Sequence, residues 1–386
     1  MRNLIQYHLN EIIIPFQKVI DLKPFDSYKQ VRIKINHKGV ELREIKKGSE
    51  IISRQFTAKS GQFIISKIDA RNGAMGIVPD YLNDAIVTGD FLLFDFDLKA
   101  VEPKYFKYIT QTSFFNNECQ RSSEGSTNRV RLKVDKFLNI QVSLPPLTEQ
   151  QRIVSKIEGI KIKLERIKEL RAEQEKELNN LLFCKYTEII KNAHLVPMKE
   201  VAPIVRREVK LNEEQQYPEL GIRCFGKGTF HKPALTGVEV GTKKIFQIKE
   251  GDLVFSNVFA WEGGIAVAKE EDNDRYGSHR FISCVANREK ALVDFLCFHF
   301  LSQKGLEDIN ACSPGGAGRN KTLGLDKLMK IKVPVPNIEL QKQFVALLEK
   351  VNTIKHHHTQ TNQELTEFMP SLLDKAFKGE LTPGPG

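Results

Sequence analysis

The sequence predicts an α+β protein in which two similar globular domains are joined and spaced by two long helices that pair as an antiparallel coiled coil. Three observations carry this expectation. The second half of the chain repeats the first at a shift of about 190 residues. Each repeat opens with short β-rich runs punctuated by Gly, Pro, Asn and Ser. Each closes with a long stretch of apolar residues at heptad spacing. A duplicated chain of this kind implies a pseudo-twofold internal repeat.

The duplication is collinear along the chain. Residues 33–39 fall on 222–228, 59–66 on 249–256, Gly73 on Gly263, and 132–137 on 323–328. Pro146 and Gln151 are then matched to Pro336 and Gln341, and Leu181-Leu182 to Leu372-Leu373. One such match arises by chance, but an ordered series does not. The boundaries that follow are a globular domain over 1–146, a spacer helix over 147–191, a second globular domain over 192–335 and a second spacer helix over 336–381.

Within the first domain, 62–68 and 90–96 read as strands from their alternation and β-branched content. Residues 106–110 and 295–300 read as parts of short helices, and the domains as α+β around a curled antiparallel sheet. After Leu144-Pro145-Pro146-Leu147, Thr148 is the expected N-cap, with Gln151 completing a capping box. Apolar residues at 153, 157, 160, 164 and 167, then at 178 and 181, form a seam that calls for a partner helix. In the second copy Asn337 is the expected cap, and Phe344, Leu347, Val351, Ile354, Leu365, Phe368 and Leu372 carry the seam. Polar Arg171 and Gln174, and His358 and Thr361, interrupt the two seams near their centres, and Pro370 is expected to kink or end the second helix. The bland reading packs each helix on its own domain.

At 386 residues the chain can form two or three domains, each with its own core. No apolar run approaches the roughly 18 residues of a membrane span, and the first residues lack the pattern of a signal peptide. Six cysteines without a C-x-x-C pair suit reduced thiols in a cytoplasmic protein. The net charge is +10, of which segment 148–191 carries +2 and segment 337–380 carries −1, so +9 belongs to the globular parts. That distribution favours a polyanionic partner held by the domains and not by the helices. About 40 helical residues span roughly 60 Å, a length that would hold two domains over DNA segments separated by around one helical turn.

A DNA-reading surface needs cations for phosphates, polar side chains for base edges, and loops able to follow a groove. The loop 121–131 supplies Arg121, Ser126, Asn128, Arg129 and Arg131, and its repeat partner 313–322 supplies Arg319, Asn320 and Lys321. Against this stands a surface loop that merely closes its domain. Lys67 and Arg71 occupy a turn after a strand, matched by Asn257 and Trp261, and the tryptophan reads more simply as partly buried core. His279 and Arg280 open a strand, where a solvated strand start is the plain alternative. Lys38 and Lys227 lie in matching turns suited to phosphate contact, and Arg206 belongs to a small basic cluster.

Rival chemistries fail on their motifs. Pro145-Pro146 is flanked by leucines and cannot supply the amide run of a DNA methyltransferase. Glu208-Val209-Lys210 is a nuclease-like fragment without an upstream Pro-Asp at a sensible spacing. His356-His357-His358 are adjacent on a helix and point apart, so they do not converge on a metal. Residues 315–318 lack the lysine of a phosphate loop. A non-catalytic coiled-coil scaffold that binds other proteins is the main alternative, but it leaves the +9 on the domains unexplained.

The run Leu144-Pro145-Pro146-Leu147-Thr148-Glu149-Gln150-Gln151-Arg152-Ile153 before a long helix resembles the junction of type I restriction-modification specificity subunits. Residues 333–341 are a weaker second version, and 372–381 are similar to the family's C-terminal helix. The resemblance implies two target-recognition domains, each reading half of a bipartite double-stranded DNA target, with no catalysis and no cofactor of the subunit's own. It also implies methyltransferase (modification) subunits as partners, two of them, with restriction/translocase subunits added, and leaves self-association of the free subunit open. Recognition domains of the family vary widely, so the resemblance assigns no base-contacting residue.

Overall fold

The computed structural model describes residues 4–125, 130–315 and 321–377. The chain divides into two compact units, Met1–Leu170 with Thr359–Gly386, and Arg171–His358. Each unit holds one globular domain together with a portion of each long helix.

In the first unit, Ile5–His8 pairs antiparallel with Gln141–Leu144, which closes the domain by joining its two ends. Between these ends lie two sheets and not the single curled one expected. One sheet runs Ile13–Phe16, Phe91–Phe96, Phe63–Ser66, Met75–Ile77, all antiparallel. The other runs Val19–Ile20, Gln55–Ala58, Ala85–Thr88, Ser27–Lys34, Gly39–Lys47, with Gln30 and Ile86 paired in parallel. The reason is legible in the burial. Phe63, Ile65, Leu92 and Phe94 face a core shared with the helices Pro103–Ile109 and Ser113–Arg121. Ile64 and Leu93, on the opposite pleat, join a second core beneath the other sheet. A strand apolar on both faces needs a cover on each side.

The second unit repeats this plan. His194–Pro197 pairs with Lys332–Val335. Leu253 and Phe255 enter one core while Val254 enters another. The parallel pairing recurs at Glu219 and Tyr276.

The long helices are Leu147–Ile190 and Ile338–Phe377. The first begins one residue before Thr148, so that residue lies inside the helix and is not its cap. The buried Gln150 secures the start instead. Its Nε2 donates to the carbonyls of Ala100 and Pro145, both at 2.9 Å, and its Oε1 accepts from the Glu102 N–H at 2.9 Å. In the second unit Gln341 Nε2 donates to Lys290 O at 3.0 Å and Pro336 O at 2.8 Å, and Oε1 accepts from Leu292 N at 2.9 Å. Gln341 therefore corresponds to Gln150 and Pro336 to Pro145, one residue away from the match expected. Asn337 does cap its helix, accepting from Glu339 N at 2.9 Å.

The helices meet antiparallel within each unit. In the second, Tyr186 packs on Phe344 with ring centroids 6.0 Å apart, and Lys355 Nζ donates to Asn179 at 2.6 Å. In the first, Ile153, Val154, Ile157 and Leu373 share one core. The seams shift phase beyond their polar centres. Leu182, Tyr186 and Ile189 are buried while Leu181 is exposed, and Leu373 and Ala376 are buried while Phe368 is exposed. Spacings of 4-4-3 replace 4-3 there, as a straight helix requires over this length. The second helix also continues through Pro370 to Phe377. Among the described residues, no helix is long and apolar enough to cross a membrane.

Candidate nucleic-acid interface

In each domain three segments converge where a core strand ends, and main-chain hydrogen bonds bring them together. In the first domain the strand Phe63–Ser66 delivers Lys67. The Lys67 N–H donates to Asp90 O at 2.8 Å, in the turn before Phe91–Phe96, and Lys67 O accepts from Leu132 N at 2.8 Å. In the second domain the Asn257 N–H donates to Arg280 O at 2.7 Å, and Asn257 O accepts from Leu323 N at 2.8 Å. One peptide unit is thus held in both copies between the turn on one side and the basic loop on the other.

The next residues form a short 3-10 turn, Ala70–Asn72 in one copy and Ala260–Glu262 in the other, each closed by a left-handed glycine. Gly73 has φ +70°, and a Cβ there would come within 2.6 Å of the His37 ring; Gly263 has φ +74°. Against each turn rests the tip of a hairpin. Asn36 N donates to Asn72 O at 2.7 Å and His37 N to Gly73 O at 3.0 Å, while Phe225 N donates to Glu262 O at 2.7 Å and Gly226 N to Gly263 O at 2.9 Å. The tips carry Lys38 and Lys227, both exposed.

The side chains at these matching backbones differ. In the first copy Lys67 Nζ donates to Gly89 O and Arg131 Nη1 to Asp90 Oδ1, both at 2.8 Å, so the two cations stand together over one turn. Arg71 follows on the 3-10 turn, half-buried. Arg121 is farther along its helix, exposed and paired with Glu118 at 2.6 Å. The loop is closed by a two-stranded ladder in which Glu124 opposes Arg131. Lys136, and then Lys133, hold the Glu124 carboxyl below the usual carboxylate range. Ser126, Asn128 and Arg129 lie outside the described residues.

In the second copy His279 and Arg280 form an exposed turn between Arg275–Ser278 and Phe281–Val285. Arg206 fastens that turn. Its guanidinium donates to Phe281 O at 2.7 Å and His279 O at 3.1 Å and stacks 3.8 Å from the Phe246 centroid, and burial lowers its pKa. Lys321 lies 4.7 Å from the Trp261 ring and donates to Asn310 at 2.7 Å. Trp261 packs on the domain core and donates to Val258 O at 3.1 Å. Asn257 Oδ1 is buried without a hydrogen-bond partner among the described residues. Arg319 and Asn320 lie outside the described residues.

The structure therefore gathers Lys67 with Arg131 over one turn, and holds Asn257 against Arg280 by a main-chain bond, with Lys321 apart from them beside Trp261 and Asn310. Arg121, Lys38 and Lys227 are separate from those central groups. Asp90, which anchors Arg131, was not singled out in the sequence. The repeat does signal it, because position 90 falls on Arg280, a charge inversion at one turn. Among the described residues no group of three or more His, Cys, Asp or Glu is placed to hold a metal.

Comparison with known proteins bears on this geometry. A model of the type I restriction modification DNA specificity domain matches the chain twice, over 14–179 and 189–367. Among solved structures, the HsdS subunit from Thermoanaerobacter tengcongensis is 20% identical with a TM-score of 0.65, over 98% of this chain and 97% of that one. A chain from a structure described as the basis of complex assembly and conformational transition of the type I R-M system is 19% identical with a TM-score of 0.70, covering 98% of both chains. These two likenesses establish the fold, and the doubled match coincides with the doubled arrangement of turn, hairpin tip and basic loop.

Proposed function

From a chain that belongs to the type I restriction modification DNA specificity family, we propose a reading in which each globular domain recognises one half of a bipartite double-stranded DNA target. The protein is a non-catalytic DNA-recognition specificity subunit. In the proposal the domains correspond to 1–146 and 192–335, and the helical segments 147–191 and 336–381 fix the separation of the half-sites. Two methyltransferase subunits dock on it, restriction/translocase subunits add to that assembly, and the setting is cytoplasmic. The partnership is supported by the likeness to a chain of a type I R-M assembly.

One observation carries the division of labour: the peptide units of Lys67 and Asn257 are held by equivalent main-chain bonds at 2.7–2.8 Å, while their side chains differ. Equivalent frames with different side chains suit two readers of different sequences. Lys67, Arg71 and Arg131 are assigned to the first half-site, and Asn257, His279, Arg280 and Lys321 to the second. Base-edge contact gives discrimination and phosphate contact gives position. Arg206 supports the second reader by fixing the His279–Arg280 turn. Lys38, Lys227 and Arg121 are assigned to phosphates, and Ser126, Asn128, Arg129, Arg319 and Asn320 to the loop contacts.

The test is genome-wide adenine methylation in cells that express the chain with its neighbouring methyltransferase subunit. A split motif with a fixed spacer, lost when the chain is absent, is the expected result. Exchanging residues 1–146 for those of a relative changes one half of the motif only. An assembled complex that methylates without a split motif overturns the reading and favours the scaffold alternative.

A further inference from the structure

The first unit contains a cationic cleft outside the recognition loops, and it rests on the reading just given. It lies where the domain meets the long helices, has a volume of about 390 Å³, and is lined by Lys38, Lys107, Lys161 and Lys168 among others. Glu165 also lines it, but its carboxylate pairs with Lys168 at 3.0 Å. Glu158, nearby on the same helix, accepts the Tyr108 hydroxyl. Lys38, Lys107 and Lys161 have no ion pair among the described residues. Three lysines thus line one cleft, and among the described residues no carboxylate is bonded to any of them. Burial first, and then Lys161, press Lys107 toward its neutral form, with Glu158 opposing and Lys104 adding to the effect.

The duplicate shows that the fold does not require this arrangement. The register fixed by Gln150 and Gln341 places Asn352 where the first copy has Lys161, and the paired short helices place Cys297 where it has Lys107 and Asp294 where it has Lys104. The same junction in the second unit therefore carries a thiol for Lys107, an amide for Lys161 and a carboxyl for Lys104, while Lys38 keeps a lysine counterpart in Lys227. Burial and the nearby Glu349 raise the pKa of that carboxyl. Gathering like charges costs stability, so the presence of Lys107 and Lys161 in one copy alone points to a ligand of opposite charge.

We infer that Lys38, Lys107 and Lys161 form a phosphate-binding cleft that grips the DNA backbone beside the first half-site. A backbone phosphodiester is the occupant the surroundings favour. The Lys38 hairpin tip is bonded through Asn36 and His37 to the turn that carries Arg71, so the cleft continues the basic surface of the first reader. The spacer helix then touches DNA on one side only, and the two halves of the target are held with unequal non-specific grip.

Fluorescence anisotropy of the full chain assembled with its methyltransferase subunit tests this, using two unrelated duplexes of about 30 base pairs between about 50 and 200 mM salt. In the double variant Lys107→Gln, Lys161→Gln, the slope of log K against log salt is expected to fall in magnitude by about 1 to 2, with equal weakening on both duplexes. The Lys→Arg pair restores it, and the melting temperature of the Lys→Gln pair does not drop, because that pair removes like charges. An unchanged slope in a variant that still melts cooperatively overturns the cleft while leaving half-site recognition standing. Loss of methyltransferase assembly with an unchanged slope also overturns it, by making the occupant a protein carboxylate. Absence of salt-dependent binding by the unaltered complex overturns the recognition reading itself.

Discussion

Asp374, near the end of the second long helix, holds the start of a short helix that lies 261 residues earlier, at Ser113. Its Oδ1 accepts from the Ser113 N–H and its Oδ2 from the Ser113 hydroxyl, both at 3.0 Å. Thr112 already caps this helix by accepting from Phe115 N, so Asp374 serves one of the remaining free N–H groups and places a negative charge at the positive end of the dipole. Asp374→Ala is expected to cost about 1–2 kcal/mol, with Asp374→Asn between it and the parent. Urea unfolding of the intact chain measures this, and an unchanged midpoint in the alanine variant would refute it.

Asn257 carries the opposite signature. Its buried Oδ1 contributes no hydrogen bond among the described residues, so removing it leaves nothing unpaired. Asn257→Ala should leave the melting temperature unchanged or higher while relaxing discrimination at one position of the second half-site by about 1–3 kcal/mol. Methylation sequencing reads the second effect. A variant that loses stability but keeps its motif would make Asn257 structural.

His299 predicts a pH dependence in the second unit. It is 3% exposed, its Nδ1 lies 2.5 Å from the Tyr186 hydroxyl, and its Nε2 has no partner among the described residues. Burial lowers its pKa from 6.5 to about 4, while the fully exposed side chain of an unfolded chain titrates at the ordinary value. Between these values the unfolded state takes up the proton first, so stability is lost as pH falls through that window and is flat above it. The loss reaches roughly 3 kcal/mol. Replacing His299 with leucine should flatten the profile. A profile equally steep in that variant would assign the effect elsewhere.

Gln150 and Gln341 predict equal damage in the two copies. Each amide makes three bonds to main-chain groups of its own domain, so alanine at either position strands buried donors and acceptors and should cost about 2–4 kcal/mol. Unfolding the two variants side by side checks this. A large loss at one position only would break the structural equivalence.

Much of this architecture was legible in the sequence, because duplication marks every element twice. The strands at 63–66 and 91–96, the turn glycines Gly73 and Gly263, and the long helices all follow from residue pattern alone. The match of Gln151 with Gln341 missed the helix register by one residue, although carrying the match of 132–137 with 323–328 forward at a constant shift places Gln150 on Gln341. The second sheet was not legible, since strands apolar on both pleats do not announce which cover lies on each side. Lys107 and Lys161 are 54 positions apart in sequence and meet only through helix packing, so no local pattern brings them together. The phase shift that exposes Leu181 and Phe368 was hidden for a similar reason, as leucine pairs leave the choice of buried member to the twist of the helix.

The bonds that position Lys67 and Asn257 use only main-chain atoms, and every residue except proline offers both of them. A substitution at either position by any residue but proline therefore leaves these main-chain bonds available. On the proposed reading, new target preferences can then arise by single replacements that keep this main-chain frame. If the proposed half-site reading holds, a subunit built this way can diversify its address book one letter at a time, each domain independently of the other.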